Sequence, residues 1–556
     1  MAAERQDPSE ASPLLQPSSN SSVTATDNAP ADEKISVYRG VAIVASLGVI
    51  MFLQACNFSL LTTTQSAIAV DLDAFEKASW FTSAYLVPMS SITPLAGRLS
   101  QIFSPRTCIF VASILFSAGG LVAAFATSLT WFLTGRALTG VGGAGILSIA
   151  IIIVLQVAGH KNRGLYLGCI NTIITSGVSL GAVLGGAIEP RLGWRAVFWL
   201  QTPFAVAAGI CIFFSIPHTL GGAKAGSDLR NFKQKLAQID YLGAVTLTGS
   251  ITSLLLALAG RTILILPLIL FFVLLATFIL TEVYVASDPI VPVTILKSRG
   301  TLFTCLATVG FMMARWSVLF YTPVYAIAVR GWAPAAAGSI LIPTNAGFGS
   351  GGLLAGWLHI RRPGSFYLPT LISMTLFPLT LLSLAFTSTA SASPVLYVLC
   401  TFLNGLTTGA AINYTLVHAL HLTPSTTHFI VTSLIATFRG FAGSFGSAVG
   451  GGIFGRLLRH SLNQNFAGHG LKGKAIKELI RRLTGSPALV AKLEGVEREV
   501  AVQGYEDALR GLFLAMVGLS LVMVFVQAAT GWRGYDEKEN TRREREEEEA
   551  AGAVAA

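Results

Sequence analysis

The chain has 556 residues, with 38 Lys+Arg against 28 Asp+Glu for a formal charge of +10; 53% of it is hydrophobic and only 12% charged. Mean hydropathy is +0.65. Soluble domains carry about a quarter charged residues, so this composition excludes a cytosolic enzyme, a disordered scaffold and a nucleic-acid binder, and it places most of the chain in lipid.

Residues 1–40 read as a disordered cytosolic tail. Residues 1–39 have a net charge of −3, as do residues 531–556, so the positive excess lies in the interior. In a membrane protein that excess marks basic cytoplasmic loops. No secretory leader is expected, because the first apolar run begins near Val41; the first span acts as the insertion signal.

A bilayer core about 30 Å thick takes roughly 20 apolar residues per helix. Fourteen such runs follow, centred on residues 41–68, 79–97, 107–127, 131–155, 166–188, 197–216, 241–259, 263–283, 302–326, 335–357, 366–387, 394–416, 429–454 and 509–530. They are read as helices, since lipid offers no partner to an open strand edge. The expected organisation is an N-terminal six-helix bundle over 41–216, a cytosolic loop over 217–240 and two additional helices over 241–283. A C-terminal six-helix bundle over 284–530 then includes a long non-cytosolic loop at 457–507, and a charged cytosolic tail occupies 531–556. With the N-terminus in the cytosol, twelve basic residues fall in inner loops and four in short outer ones, as the positive-inside rule requires. Within the long loop, Leu471, Ile476, Leu479, Ile480 and Leu483 share one face of a basic helix. It reads either as a helix on the membrane surface or as a cap over the pore mouth.

Ionisable residues inside spans are costly and are therefore functional candidates. Those deep in the apolar runs are Arg136, Arg315 and Arg439, all cationic. Arg315 is the most specific candidate for a substrate contact. Carboxylates keep to the edges: Asp71, Asp73 and Glu76 after the first span, Asp240 before the seventh, and Glu282 as an interfacial anchor. Polar side chains avoid lipid, so Asn57, Gln65, Asn171, Asn404 and Asn413, together with Asn345, are expected along a substrate pathway or as ties between helices. The six cysteines lie in or beside apolar runs and read as small core residues. Their spacing shows no metal knuckle, and no metal or cofactor is expected. There is no GxxxxGK[ST] phosphate loop and no spaced nucleophile, base and orienting group, so neither ATP-driven pumping nor an enzyme is indicated.

Gly181, Gly185 and Gly186 form a GxxxGG pattern that Gly446, Gly450 and Gly451 repeat late in the second half. Small residues four apart let helices approach closely, and the recurrence points to a duplicated bundle, the common architecture of secondary transporters.

The run from Gly135-Arg136 through Gly140, Gly142 and Gly143 to Gly145 resembles the fourth-helix signature of the major facilitator superfamily, in particular its fungal fourteen-span drug:proton antiporter-2 branch. Trp194-Arg195 with Phe198-Trp199, Asp240-Tyr241 with Gly243, Pro289 with Pro292, Tyr321 with Pro323, and Arg439-Gly440 are similar to further landmarks of that branch, in the same order. Two departures stand out. The loop from Gly97-Arg98 to Arg106 has Gln101 where the superfamily pattern carries an aspartate, and Asn57 stands where the branch carries a first-span aspartate. Asparagine does not carry a proton on and off.

The resemblance implies an all-α membrane protein with two six-helix bundles, two additional central helices and both termini in the cytosol. It implies a secondary active transporter that moves drugs or secondary metabolites out of the cytosol by proton-coupled alternating access. Arg136 and Arg439 would belong to its transport path, and Gly97, Arg98, Arg106, Gly181 and Gly185 to its gating. Expected partners are a small organic substrate, protons and membrane lipids, with no nucleic acid. Glu10, Leu14 and Leu15 resemble an acidic dileucine sorting motif read by an adaptor complex, which favours the vacuolar membrane over the plasma membrane. Vacuolar uptake of basic amino acids is the rival function, and a transport-inactive receptor-like or structural member is a third.

Overall fold

The computed structural model describes residues 37–157, 163–216, 240–259, 262–285, 296–359, 365–424 and 427–536, with 538, 539, 542 and 546. Glu10, Leu14, Leu15 and most of the 217–240 loop lie outside the described residues, as do the side chains of Arg98 and Gln101.

Every regular element described is helical. The first half comprises α1 (Val37–Asp71), α2 (Ala78–Ile102), α3 (Pro105–Ala124), α4 (Leu129–Val157), α5 (Arg163–Trp199) and α6 (Gln201–Ser215). Helices α7 (Tyr241–Ala259) and α8 (Ile265–Tyr284) form a pair beside α2. The second half comprises α9 (Arg299–Ala328), the short α10 (Pro334–Ser339), α11 (Leu341–Leu354), α12 (Tyr367–Thr387), α13 (Pro394–His421), α14 (His428–Gly468), α15 (Lys474–Gly485) and α16 (Gly495–Ala528). Among the described residues, 10 helical stretches are long and apolar enough to cross a membrane. One of them, Cys169–Ser215, folds back on itself at Gly193, whose φ of 77° is open to glycine and strained for other residues.

The halves meet along two seams, α5 against α10 and α11, and α2 against α14. The repeated glycines explain the geometry. Gly181 lies against Cys56 Cα, 2.7 Å from where its own Cβ would sit, and Gly185 lies 3.0 Å from the Leu60 carbonyl, so α5 packs directly on α1. In the second half, Gly446 meets Trp316 and Gly450 meets Ser317, both on α9. The third glycine of each pattern faces the opposite half: Gly186 meets Pro334 and Ala335, and Gly451 meets Ser79. In each half, then, one pair seats the helix on its own bundle and the next glycine lets the bundles touch.

Three expectations need correction. The stretch expected as a long loop is largely helix, because α14 continues to Gly468 and α16 begins at Gly495. Between them α15 turns its apolar face onto protein, burying Ile480 and Leu483, so it is a cap rather than a helix on the membrane surface. It belongs to the second half but grips the first. Arg481 Nη2 pairs with Asp73 Oδ1 at 3.0 Å, its guanidinium lies 5.2 Å from the Phe75 ring, Gly485 packs on the Phe75 backbone, and the Ala488 amide donates to Ser66 Oγ. Arg481 first, then Arg482, hold the neighbouring Glu478 carboxyl down at about 2. The cysteines are also less uniform than expected: Cys56, Cys305 and Cys400 are buried, whereas Cys169 is exposed. Glu282, expected at the interface, is buried near the end of α8, where that helix faces its neighbours.

Candidate functional site

Arg136 is fully buried in the first half. Its helix can approach α2 because Gly140 lies against the Tyr85 backbone, where a side chain would not fit. Arg136 Nη1 donates to Asn57 Oδ1 at 2.7 Å and Nε donates to the Phe81 carbonyl at 3.2 Å, while Nη2 has no acceptor. The guanidinium also lies over the rings of Tyr85 and Phe198, at 4.6 and 5.6 Å. Asn57 in turn donates to Gln201 Oε1, and Gln201 Nε2 donates to the Val197 carbonyl. A buried cation is thus held by neutral amides and aromatic faces. No carboxylate reaches it among the described residues, although buried charges are ordinarily paired.

Arg315 repeats this arrangement in the second half. It is 2% exposed and donates to Asn404 Oδ1 at 3.3 Å, Asn345 Oδ1 at 3.1 Å and the Thr344 carbonyl at 3.2 Å. Asn404 is fixed by its own bond to Thr380 Oγ1 at 3.0 Å. Asn345 Nδ2 reaches the other half and donates to Ser179 Oγ at 2.9 Å. Arg315 therefore gives both terminal nitrogens to protein acceptors, in a network that crosses the α5–α11 seam.

Aromatic rings fill the space between the two arginines. Phe58 contacts Tyr85 at 5.6 Å and Trp316 at 5.2 Å, and Trp316 stacks on Phe320 at 5.6 Å. Phe320 also lines a cavity of about 670 Å³ between the halves, a volume suited to a small organic molecule. The first half contributes Thr62, Gln65, Glu76 and Ser79 to this cavity, and the second contributes Tyr321, Ser447, Arg456, Arg459 and Asn463. Thr484 and Pro487 of the cap region also line it.

The sequence candidates thus fall into distinct places. Asn57 joins Arg136, Asn404 joins Arg315, and Gln65 lines the cavity. Asn413 binds the Gly409 carbonyl one turn away at 3.2 Å, and Asn171 is exposed. Arg439 is half-buried beside the α2–α14 seam. At the α2–α3 turn, Gly97 has open space beside it, and Arg106 is buried with its guanidinium 4.1 Å from the Phe213 ring. Arg195, in the segment resembling the branch, pairs with Asp71 at 2.7 Å, and Trp194 Nε1 donates to the same carboxylate. Sequence reasoning missed Gln201, Ser179 and Trp316. A glutamine and a tryptophan inside apolar runs were visible signals; one serine among many was not.

A profile of the Major Facilitator Superfamily matches residues 47–447. The MFS-type transporter clz4 of Cochliobolus lunatus is 28% identical over 495 residues, covering 87% of this chain and 84% of the relative. The efflux pump apf11 of Gibberella fujikuroi is 26% identical over 549 residues, covering 92% of each. Among solved structures, a bacterial homolog of the human lysosomal transporter Spinster, in an inward-facing and unoccupied conformation, superposes with a TM-score of 0.61 at 14% identity, covering 89% of this chain and 97% of that one. With two helical halves around a shared cavity and a family profile matched over most of its length, the chain belongs to the Major Facilitator Superfamily and is a multi-pass membrane transporter, not an enzyme.

Proposed function

We propose that the chain exports small organic compounds from the cytosol by alternating access, driven by a proton gradient, and that it resides in the vacuolar membrane. In this reading there are fourteen spans and both termini are cytosolic. α2, α14 and the α10–α11 pair complete the set, and the fold-back at Gly193 divides one apolar stretch into two. The α2–α3 turn then faces the cytosol and the cap faces the lumen or exterior.

The observation that carries the reading is the cavity, which takes its lining from both halves. A compound bound there contacts two bodies whose relative tilt decides which side it reaches, as alternating access requires. Asn57 does not titrate, so proton coupling rests on another group. Neutral or anionic cargo fits a cavity lined by Arg456 and Arg459 better than a basic amino acid, whose side chain would need a buried carboxylate. Glu76 supplies an acid at the cavity, but it stands with Arg456 and Arg459.

The test is uptake of labelled arginine, lysine and a panel of neutral and anionic organic compounds into vacuolar vesicles from cells with and without the protein. Each is measured with the proton gradient intact and collapsed. Gradient-dependent uptake of the organic panel is expected. Uptake of arginine or lysine would establish the rival function, and no uptake of any compound would favour the transport-inactive reading.

A further inference from the structure

Arg439 precedes Gly440, whose carbonyl accepts a hydrogen bond from Ser90 Oγ, midway along α2. That contact sets the Arg439 backbone at the α2–α14 seam, midway along α2. Arg439 is half-buried, and among the described residues it makes no hydrogen bond, ion pair or ring contact. A cation at such a depth is expensive unless it meets water or an anion. Beside Gly440 there is open space.

Arg439, Gly443, Gly446 and Gly450 follow one another at helical spacing and share a face of α14. The three glycines look onto α9. A Cβ at Gly443 would lie 3.3 Å from Trp316 Cε2 and 3.4 Å from Trp316 Nε1. That indole nitrogen is buried and has no acceptor. Two donors without acceptors, an indole N–H and a guanidinium, therefore lie along one helix face, with the glycine beside the indole one turn, about 6 Å, from Arg439. The Trp316 ring continues into an aromatic wall with Phe58 and Phe320.

We infer that Arg439 and the Trp316 indole N–H bind the carboxylate of a flat, apolar organic acid whose body lies against Phe58, Trp316 and Phe320. The inference rests on the transport reading and narrows its cargo to organic anions. A carboxylate offers two oxygens to two donors, and its charge is matched by one cation. A phosphate dianion would demand more donors than this face supplies, and a basic compound would meet only repulsion.

The experiment uses the purified full chain with 2-naphthoate and its uncharged counterpart 2-naphthamide. Binding is read from the shift in thermal unfolding midpoint, and movement is read from uptake into proteoliposomes. Wild type is expected to prefer naphthoate by at least about tenfold, the size of one charge-assisted hydrogen bond. Arg439→Gln should bring the two compounds within about threefold of each other, and Arg439→Lys should keep most of the preference. Trp316→Phe retains a ring and loses the N–H, and should weaken naphthoate by about threefold or more. If Arg439→Gln does not fold, the Trp316→Phe shift decides. An equal response of wild type to both compounds overturns the inference, as does a preference that survives Arg439→Gln. Preferential binding without movement leaves the site standing and defeats the transport reading. Equal movement of naphthamide by wild type and Arg439→Gln, with no preference for naphthoate, does the reverse.

Discussion

Arg136 and Arg315 make nearly the same first contacts and then lead to different places. Each is buried, and each gives its donors to an asparagine amide and a backbone carbonyl. From Arg136 the chain of bonds runs through Asn57 and Gln201 to Val197 and stays inside the first half. From Arg315 it runs through Asn345 to Ser179 and crosses between halves. The first network builds a rigid body. The second ties two bodies that must separate if the seam opens. Local residue type is thus a poor guide to role, because the role depends on which helix lies beyond the asparagine.

The largest effect is expected from Arg136→Ala. It strands Asn57 Oδ1 and the Phe81 carbonyl in a low-dielectric interior and should cost roughly 3 kcal/mol, read as a lowered unfolding midpoint of the purified protein together with lost transport. A midpoint close to wild type would deny Arg136 its structural part. Arg315→Ala should abolish or strongly reduce transport while expression and sorting persist; full-rate transport would mark Arg315 as dispensable to the cycle. A smaller and more selective effect is expected from Ser179→Ala, which removes the cross-half acceptor at a cost of about 1 kcal/mol. In a double-mutant cycle it should couple to Asn345→Ala and remain additive with Gln201→Ala. Coupling to Gln201 instead would merge the two networks into one.

The cap offers the smallest effect. Arg481→Ala should raise amide exchange in residues 474–492 with little change elsewhere. The Glu478 carboxyl is depressed from its ordinary 4.5 to about 2, so its ion pairs contribute fully above about 4.5 and are lost only as pH falls toward about 2. Exchange protection of the cap should accordingly be the same at pH 7 and pH 5. Release of the cap by pH 5 would mean that another group controls it.

Much of this was legible in the sequence, for physical reasons. Helices follow from long apolar runs, and Arg136 and Arg315 stand out because a cation in such a run needs a special explanation. Asn57 and Asn404 could be named as polar and inward-facing, but their pairing with particular arginines depends on which helices are neighbours. Ser179 was invisible because a serine in a Gly-rich helix usually bonds its own backbone, as this one also does to Thr175. The cap stayed open between two readings because Lys, Arg and Glu dominate it, and its few apolar residues reveal burial only once the turn around Phe75 is known to lie opposite. The surroundings of Arg439 were equally hidden, since Trp316, which packs on Gly443 one turn along the same helix, lies 123 positions before Arg439 in the chain.

The most direct measurement is uptake by proteoliposomes that contain only this chain, with a pH gradient imposed and labelled aromatic acid or arginine supplied on the side facing the α2–α3 turn. Export of organic acids predicts gradient-dependent uptake of the acid, abolished by Arg315→Ala, and none of arginine. Uptake of arginine with exclusion of the acid would contradict it.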